Sequence, residues 1–447
     1  MTGERRETTL LDIAVPTRGT VSGPFGSSIS KQFFVCNGVP VIRGNNLSLG
    51  TDGPRFRDDD FVYLTSEKAK ELSSAECVPG DLIFTARGTI GQVGLIPLDA
   101  RFPRYILSAN QLRLRSDPKI ADALYLYYWF SSPQMVAVMQ GRNAGSALPN
   151  MNLGALRGLP VVLPPLPEQR IVAHILGALD DKIELNRRMN ETLEGMARAL
   201  FKSWFIDFDP VHAKAAGRDP GLPANIAALF PDSFQNSDVG DIPTGWAIGV
   251  FSDLVVHLRE QESPLSQPDK LFSHYSLPAF DEGQSPTLDY GETIKSVKWR
   301  VSGEVVLLSK LNPEIERVWL VNVDLSECAV CSTEFLVLRA RPPFTRSYVY
   351  CLARSPLLRQ QIESLVTGTS KSHQRAQTDS ILNLAVVVPP SPLVRVFDRF
   401  SASLLVRTLE CRNASHTLAT LRDTLLPKLL SGELRVKDVE QSIEAHA

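Results

Sequence analysis

Three consecutive charged residues are the first candidates for catalytic chemistry. Asp180, Asp181 and Lys182 place two carboxylates and an amine at a spacing similar to that of nuclease sites. The carboxylate oxygens of such a set could bind a divalent cation. A metal site needs side chains that converge on one point, whereas these three follow one another in a charged helical stretch beside an apolar stripe. The sequence therefore predicts an exposed, charged helix face here and no metal site.

Cysteine and histidine are the next residue types that could bind metal or act as nucleophiles. Cys328 and Cys331 form a single CxxC with no second pair and no histidine nearby, which favours a reduced strand over a zinc or redox site. The other cysteines, Cys36, Cys77, Cys351 and Cys411, are irregularly spaced. The seven histidines form no HExxH pattern and no recognisable pairing with Ser or Cys, so we predict solvated or core histidines.

No segment of the sequence matches a known cofactor-binding loop. A GxxxxGK(S/T) loop is absent, and "RGTIGQVG" spaces Gly88, Gly91 and Gly94 by three, which suits a glycine-rich hairpin better than GxGxxG. "ARPPFT" (340–345) is similar to the (Asp/Asn)-Pro-Pro-aromatic loop of amino-methyltransferases. Arg341 occupies the acceptor position of that loop, however, and a guanidinium can only donate hydrogen bonds. We predict that this chain has no catalytic site and holds no cofactor.

Length and composition indicate a multidomain protein without membrane segments. The 447 residues exceed the roughly 250–300 that a single core usually serves. No window approaches the roughly 18 apolar residues of a membrane helix, and the start lacks a secretion signal, so we predict a cytoplasmic location. The net charge is −2, yet residues 339–375 hold seven Lys or Arg against one Glu. This segment could bind phosphate, and a solvated surface is an equally good interpretation.

Three segments recur in the same order at a nearly constant spacing. "GDLIFTARG" (80–88) matches "GEVVLLSKL" (303–311), and "LPVVLPPLP" (159–167) matches "LAVVVPPSP" (384–392). Between them, Ser132-Pro133 matches Ser355-Pro356. The constant offset indicates an internal duplication with a period too long for a solenoid. Each half reads as short strands such as "DLIFTAR" and "QLRLR", the glycine hairpin "TIGQVGLI", and a helix on either side of the Ser-Pro pair.

A long helix is predicted after each proline block. From Glu168 to Phe205 there is no proline, and apolar residues recur at steps of three and four, as in a two-helix coil; a second such run begins at Phe397. We predict an antiparallel helix pair with one globular domain at each end. Its interface comprises Leu176, Leu179, Ile183, Asn186, Asn190, Leu193, Leu200, Phe400, Leu404, Leu418 and Leu425. The two asparagines would weaken the pair but fix its register, because each buried amide needs a polar partner.

Several of these stretches closely resemble the specificity subunits of type I restriction-modification enzymes. The likeness lies in "PPLPEQRIVAHILGALDDKIELNRRMNETLEGMARALFKSWFIDFDPV", in "GRDPGLPANIAALFPDSFQNSDVGDIPTGW", and in "SGPFGSSISKQFFVCNGVPVIRGNNL" and "GDLIFTARGTIGQVGLI" of the first half. It covers most of residues 10–250. The second half departs from the pattern, since Pro392-Leu393-Val394-Arg395 replaces the usual Pro-x-x-Glu-Gln and leaves the second helix without an acidic start.

The resemblance implies an α+β fold in which two pseudo-symmetric mixed α/β target-recognition domains are joined by two long antiparallel coiled-coil helices. The predicted parts are the first recognition domain (1–165), the central helix (166–208), a linker with a short helix (209–245), the second recognition domain (246–392), the C-terminal helix (393–435) and a tail (436–447). The chain would be non-catalytic. Each domain would recognise half of a split double-stranded DNA site, and the helices would dock two methyltransferase subunits, through which endonuclease subunits attach. S-adenosylmethionine, ATP and Mg²⁺ would belong to those partner subunits.

Polar loops of both halves supply the predicted DNA contacts, because Lys and Arg neutralise phosphates while Asn, Gln, Arg and Ser recognise base edges. The predicted residues are Arg43, Asn45, Asn46, Arg87, Thr89, Asn143, Ser146 and Asn150 in the first half, and Ser370, Lys371, Ser372, His373 and Arg375 in the second. An ordinary polar turn is the alternative for each. Two other functions remain open: a self-contained DNA methyltransferase or nuclease, which would need a cofactor loop, and a coiled-coil scaffold that does not bind DNA.

Overall fold

The computed structural model describes residues 5–141, 150–324, 326–366 and 374–434. The chain divides into two compact units, the first made of Met1–Glu184 with Thr417–Ala447 and the second of Leu185–His416. Each unit mixes strands with helices and contains one segment of each of two long helices, which confirms the predicted α+β class. Across the described parts of the chain, no helix is long and apolar enough to cross a membrane.

The first unit contains two main sheets. Its strands are β1 (Arg6–Thr9), β2 (Thr20–Ser22), β3 (Val39–Ile42), β4 (Ser48–Leu49), β5 (Val62–Leu64), β6 (Glu76–Cys77), β7 (Leu82–Thr85), β8 (Gln92–Leu95), β9 (Tyr105–Leu107), β10 (Gln111–Leu114) and β11 (Pro160–Leu163). Its helices are α1 (Ser66–Glu71), α2 (Ala123–Ser131), α3 (Pro133–Gly141), α4 (Leu153–Arg157) and the first part of α5 (Leu166–Phe205). The sheet orders are β2-β10-β7-β8-β4 and β5-β3-β9-β6, and β1 pairs with β11.

The second unit is built in the same way. Its strands are β12 (Phe234–Gln235), β13 (Ile242–Pro243), β14 (Ala247–Val250), β15 (Val255–Leu258), β16 (Gln261–Glu262), β17 (Leu271–Tyr275), β18 (Thr287–Tyr290), β19 (Lys298–Val301), β20 (Gly303–Ser309), β21 (Val318–Val323), β22 (Ala329–Cys331), β23 (Phe335–Ala340) and β24 (Ala385–Val388). Its helices are α6 (Asp209–Ala215), α7 (Ala224–Ala227), α8 (Phe251–Leu254), α9 (Leu277–Asp281), α10 (Arg346–Ala353), α11 (Pro356–Ser364), α12 (Thr378–Leu382) and the first part of α13 (Ser391–Ser431). The sheet orders are β15-β23-β20-β21 and β16-β19-β22-β17-β18, with β14 paired to β24 and β12 to β13.

The strand order of the first unit recurs in the second. In the first unit β7 lies between β10 and β8, and β3 runs parallel to β9. In the second, β20 lies between β23 and β21, and β17 runs parallel to β22. The central strands of the two units therefore share one topology, as the duplicated sequence predicts, whereas β4 of the first unit and β16 of the second have no counterpart in the other unit's sheets.

The recurring "GDLIFTARG" and "GEVVLLSKL" segments form the central strand of each unit. Successive side chains of a strand point to opposite faces. Leu82 and Phe84 of β7 accordingly enter one core, which also holds α2, while Ile83 enters the core shared with β3 and β9. In β20, Val306 and Val305 divide between two cores in the same manner. Because both faces of these strands are covered, each contains an uninterrupted apolar run, 82–84 in β7 and 305–308 in β20.

The Ser-Pro pair that recurs in the sequence is a helix N-cap followed by proline in the first turn. Ser132 Oγ accepts a hydrogen bond from the Met135 N–H at 3.4 Å at the start of α3, and Ser355 Oγ accepts one from the Leu358 N–H at 3.3 Å at the start of α11. Proline suits this position because the first helical N–H groups have no partner within the helix. In each unit the cap separates two short consecutive helices.

The segment 209–245, predicted as a linker, packs onto the core of the second unit. Val211, Ile226 and Phe230 are buried in the same core as Trp204 of α5. The Trp204 and Phe230 rings meet edge to face, with their centroids 5.4 Å apart. The short helix α7 begins at Ala224, where the sequence predicts one. The segment therefore contributes apolar contacts as well as connecting the two halves.

The long helices pair antiparallel within each unit. In the first unit Leu176 of α5 shares a core with Leu425, Leu426 and Leu429 of α13. In the second unit Leu200 of α5 lies against the core that includes Leu405 of α13. Of the predicted interface, Leu176 and Asn186 are buried and Leu179, Ile183, Asn190, Leu193, Leu200, Leu404, Leu418 and Leu425 are half-buried.

The buried face of α13 is displaced from the predicted one. Phe400 is 48% exposed, and its ring meets that of Trp204 edge to face with the two centroids 6.2 Å apart. Ser401 and Thr408 are buried instead, because their hydroxyls donate to the carbonyl oxygens of Phe397 and Leu404 in the preceding turn, at 2.9 and 3.1 Å. Hydroxyls satisfied in this way can face the core, which an apolar pattern does not reveal.

Asp180 does not belong to the exposed, charged face predicted from sequence, whereas Asp181 and Lys182 are exposed as predicted. Asp180 accepts hydrogen bonds from the Tyr128 hydroxyl at 2.5 Å and from Arg422 Nη1 at 2.8 Å, and both partners are buried. Asp181 is paired with Arg55. Asp180 thus ties α5 to α2 and α13 within the first unit, and no group of metal-ligating residues occurs in the described ranges.

The two asparagines of α5 lie where the sequence places them, but part of each amide lacks a partner. Asn186 is 3% exposed. Among the residues that the structure describes, its Nδ2 and the Oδ1 of Asn190 have no hydrogen-bond partner. A buried polar group left unsatisfied costs about 1–3 kcal/mol. The amides therefore weaken the helix pair.

Asn186→Leu should consequently stabilise the protein, by about 1–2 kcal/mol, because it removes an unsatisfied buried donor and adds apolar contact. Urea unfolding of the purified variant measures the change. Thr192→Leu, at an exposed site on the same helix, is the matched control and should change the free energy of unfolding by less than about 0.5 kcal/mol. A lower midpoint for Asn186→Leu would show that the amide stabilises the folded state.

Candidate functional site

A polar cleft of about 480 Å³ opens in the first unit where β7, β8 and β10 meet the loop after β3. We call it the first-unit cleft. Its lining residues are Arg43, Gly44, Asn45, Thr85, Arg87, Gly88, Thr89, Gln92, Ser108, Asn110 and Gln111. Four residues predicted to contact DNA, Arg43, Asn45, Arg87 and Thr89, are therefore brought together from two separate loops.

The loop after β3 supplies one wall of the first-unit cleft. Residues Gly44–Asn46 form a 3₁₀ turn that begins where β3 ends. Arg43 Nη2 donates to the Asp60 carbonyl at 2.9 Å, and Asn45 Nδ2 donates to the Asp60 carboxylate at 2.7 Å. Both side chains remain solvent-accessible. Hydrogen bonds to Asp60 therefore hold the side chains of Arg43 and Asn45 in a fixed orientation on this wall.

Asn46 supports this loop and does not face the cleft, contrary to the base-contacting role predicted for it. It is 0% exposed. Its Oδ1 accepts from the Arg43 N–H at 2.9 Å, and its Nδ2 donates to the carbonyl oxygens of Arg57 and Asp59, each at 2.9 Å. With the amide fully occupied and buried, the side chain cannot reach a ligand.

The loop between β7 and β8 forms the opposite wall. "TIGQVGLI" was predicted to be a hairpin, but it supplies only the end of the turn and the single strand β8, in which Gly94 lies. The hairpin is formed by β7 and β8, and its turn spans 86–91, where Gly88 and Gly91 adopt positive φ angles of 109° and 101°. Arg87 and Thr89 are exposed, and within the described parts of the chain their side chains have no hydrogen-bond or ion-pair partner. Both remain available to a ligand.

Asn150 lies beside the first-unit cleft. It forms an isolated antiparallel bridge with Arg87, and the next residue, Met151, donates its N–H to the Ala86 carbonyl at 2.9 Å. Asn143 and Ser146, predicted to act with Asn150, lie outside the described residues. The bridge fixes the backbone of Arg87. A second contact has the same effect, because the Arg87 N–H donates to the Asn110 carbonyl.

The floor of the cleft consists of polar side chains that the sequence predictions missed. Gln92 Oε1 accepts from Thr85 Oγ1 at 3.0 Å, and its Nε2 donates to the Leu47 carbonyl at 3.3 Å. Ser108 Oγ donates to Gln111 Oε1. The only sequence signal was the alternation of "QLRLR", which places Gln111 on the same strand face as Arg113. That alternation predicts a solvated face, whereas both side chains are buried.

The corresponding place in the second unit carries a different set of charges. Leu311 forms an isolated bridge with Arg375, as Arg87 does with Asn150 in the first unit. Leu311 lies 224 residues after Arg87, and Arg375 lies 225 residues after Asn150. Arg375 is exposed and forms an ion pair with Glu334 at 2.8 Å. Ser370, Lys371, Ser372 and His373, the other predicted contacts, lie outside the described residues.

Two further cations flank this second-unit site. Arg259 pairs with Asp379 at 3.2 Å and donates from Nε to His257 Nδ1 at 3.0 Å. Burial, followed by the positive charges of Arg259 and Lys310, lowers the pKa of His257 to about 4. His257 is therefore neutral at pH 7 and accepts the hydrogen bond from Arg259. Positions 259 and 310 were not among the predicted contacts. The duplication aligns Lys310 with Arg87, whereas no sequence signal identified Arg259.

The chain is similar to specificity subunits of type I restriction enzymes. Residues 29–195 match the family model described as the type I restriction modification DNA specificity domain. The type I restriction enzyme MjaIX specificity subunit of Methanocaldococcus jannaschii is 26% identical over 404 residues, which cover 85% of each chain. The HindI specificity subunit of Haemophilus influenzae is 21% identical over 443 residues, covering 84% of this chain and 92% of that one.

A solved structure shares the fold. The S subunit of the type I restriction-modification system of M. genitalium aligns over 96% of both chains with a TM-score of 0.57, at 13% sequence identity. The matched family segment, 29–195, contains the residues of the first-unit cleft and the first part of α5.

Proposed function

We propose that this chain, like the specificity subunits it resembles, recognises a two-part DNA sequence for a type I restriction-modification complex, with each unit recognising one half-site. The supporting observation is the duplicated junction: the bridges Arg87–Asn150 and Leu311–Arg375 place polar loops at the same position of the same topology. Two copies of one recognition element match a target that has two halves.

The two units present different chemistry at that junction, as unlike half-sites require. The first-unit cleft offers Arg87 and Thr89 with no competing partner among the described residues, and Arg43 and Asn45 held by Asp60. The second-unit site presents Arg375, which is paired with Glu334, together with Arg259 and Lys310 near a neutral His257. Guanidinium and amide groups recognise base edges, and cations that do not contact bases bind phosphates. Base choice would then differ between the halves.

We assign the chemical steps to partner subunits. The long helices would dock methyltransferase subunits, two per chain to match the duplication, and endonuclease subunits would attach through these. S-adenosylmethionine, ATP and Mg²⁺ would be bound by those partners. The assignment rests on the family and on the absence from the sequence of a phosphate-binding loop and of an intact amino-methyltransferase motif.

Co-expression with the neighbouring methyltransferase subunit, followed by genome-wide mapping of methylated adenine, tests the proposal. A motif of two short specific parts separated by a fixed gap is the expected result. A short continuous motif would contradict recognition by two units. A complex that forms but leaves the genome unmethylated would contradict the DNA-recognition function itself.

A further inference from the structure

One buried side chain on the floor of the first-unit cleft has an unused hydrogen-bond donor. Gln111, the first residue of β10, is 2% exposed. Its Oε1 accepts from Ser108 Oγ, while its Nε2 donates to no group among the residues the structure describes. The residue as a whole is buried, yet Nε2 is not among the fully buried side-chain atoms that lack a partner in the described residues. This nitrogen is therefore open to the cleft that Gln111 lines, and a ligand in the cleft can reach it.

The neighbouring amide, Gln92, has no such free donor. Gln92 lies on the same floor but uses its Oε1 and Nε2 on Thr85 and the Leu47 carbonyl. Gly44 leaves the space above both amides open. A Cβ at Gly44 would lie 3.4 Å from Gln92 Oε1 and 3.9 Å from Gln111 Nε2.

We propose that Gln111 is a specificity-determining residue, which donates its Nε2–H to an acceptor on the edge of a guanine in the first half-site. This inference rests on the proposed function. Because Ser108 Oγ donates to Oε1, the amide is oriented with Nε2 as the atom that no described protein group uses. Arg87, on the wall of the same cleft, carries donors only.

Two donors on one cleft select the base edge that carries two acceptors. In the major groove guanine presents N7 and O6, both acceptors, whereas adenine presents the N7 acceptor beside an N6–H₂ donor. Adenine would place its N6–H₂ donor opposite a donor of Arg87 or Gln111, and neither of these two donors would then have an acceptor. The cleft therefore favours guanine, with Arg87 and Gln111 acting on the same base pair.

Gln111→Glu is the decisive variant, because glutamate keeps the shape of glutamine and still accepts the Ser108 hydrogen bond while it loses the free donor. The variant is co-expressed with the methyltransferase partner and its methylation motif is mapped beside that of the wild type. We expect methylation of the wild-type motif to fall about tenfold or more, with relaxed or altered preference at one G·C position of the first half-site. The second half-site should stay unchanged and serves as an internal control.

Gly44→Ala is an independent variant that leaves Gln111 in place and adds a methyl group above its Nε2. It should impair recognition at the same position, and it tests the proposal even if Gln111→Glu folds poorly. An unchanged motif and rate for Gln111→Glu would overturn the proposal, as would changes spread over both half-sites or confined to an A·T position. A wild-type chain that yields no two-part motif would instead overturn the proposed function, so the two failures are distinguishable.

Discussion

Arg354→Ala should lower the free energy of unfolding by about 2–3 kcal/mol, because charge-assisted hydrogen bonds at a largely buried site are lost while each carboxylate keeps one arginine partner. Arg354 follows α10 in the second unit, and its guanidinium is paired with Glu194 of α5 and with Glu316. It also donates to the Tyr350 hydroxyl at 2.7 Å. The Arg354 side chain is 14% exposed and that of Glu194 12%. Alanine would leave Glu316 with Arg359 as its partner and Glu194 with Arg412 alone.

Thermal and urea unfolding of the purified chain measure this loss, and two variants sharpen the interpretation. Arg354→Lys keeps the charge but not the planar fork, so it should fall between the wild type and Arg354→Ala. Arg407→Ala breaks an exposed pair with Glu410 on α13 and should leave the unfolding midpoint unchanged. A loss as small for Arg354→Ala as for Arg407→Ala would mean that water replaces the guanidinium at no cost.

This ion-pair network shows what the duplication preserves and what it does not. At an offset of 225 residues, Asp180 of α5 corresponds to Leu405 of α13, and Arg422 of α13 corresponds to Ala197 of α5. Asp180 and Arg422 form an ion pair in the first unit, whereas Leu405 and Ala197 are buried apolar residues in the second. The second unit uses Glu194 with Arg354 and Arg412 instead. Topology is repeated, while the charged contacts of the long helices are particular to each unit.

Most of the fold could be predicted because its signals are local in sequence. The repeated apolar strands identify β7 and β20, and the Ser-Pro pairs identify the starts of α3 and α11. Each signal depends on a few adjacent residues, since strand alternation and helix capping are set by the local backbone. The buried face of α13 was displaced from its prediction because Ser401, Thr408 and Arg422 are buried polar residues whose partners lie in a preceding turn or on another element.

The candidate site was predictable only in part, for a related reason. Arg43, Asn45, Arg87 and Thr89 lie in loops with glycine-rich turn signals, and the structure brings all four to one cleft. Asn46 has the same sequence context as Asn45 but is buried by contacts with Arg57 and Asp59, which lie 11 and 13 residues away. Whether a polar residue faces a ligand or its own backbone depends on such distant contacts.

Arg87→Ala should lower methylation of the wild-type motif about 10- to 100-fold, because a good bidentate base contact is worth about 1–3 kcal/mol and about 1.4 kcal/mol corresponds to a factor of ten. The Arg87 side chain is exposed at the cleft with no partner among the described residues, while its backbone is fixed by Asn110 and Asn150. Removing it should therefore leave the fold intact. Methylation rates on duplexes with single substitutions in each half-site give the measurement.

The pattern of the loss separates base recognition from phosphate contact. If Arg87 recognises a base, the variant should lose discrimination at one position of the first half-site and keep that of the second. If it binds phosphate, affinity should fall equally for all sequences and the salt dependence of binding should weaken by about one phosphate contact. Arg104→Ala, which removes a cation paired with Glu76 away from the cleft-lining residues, should reproduce neither pattern. Equal losses for Arg87→Ala and Arg104→Ala would contradict a specific role for Arg87, since only the overall charge of the unit would then matter.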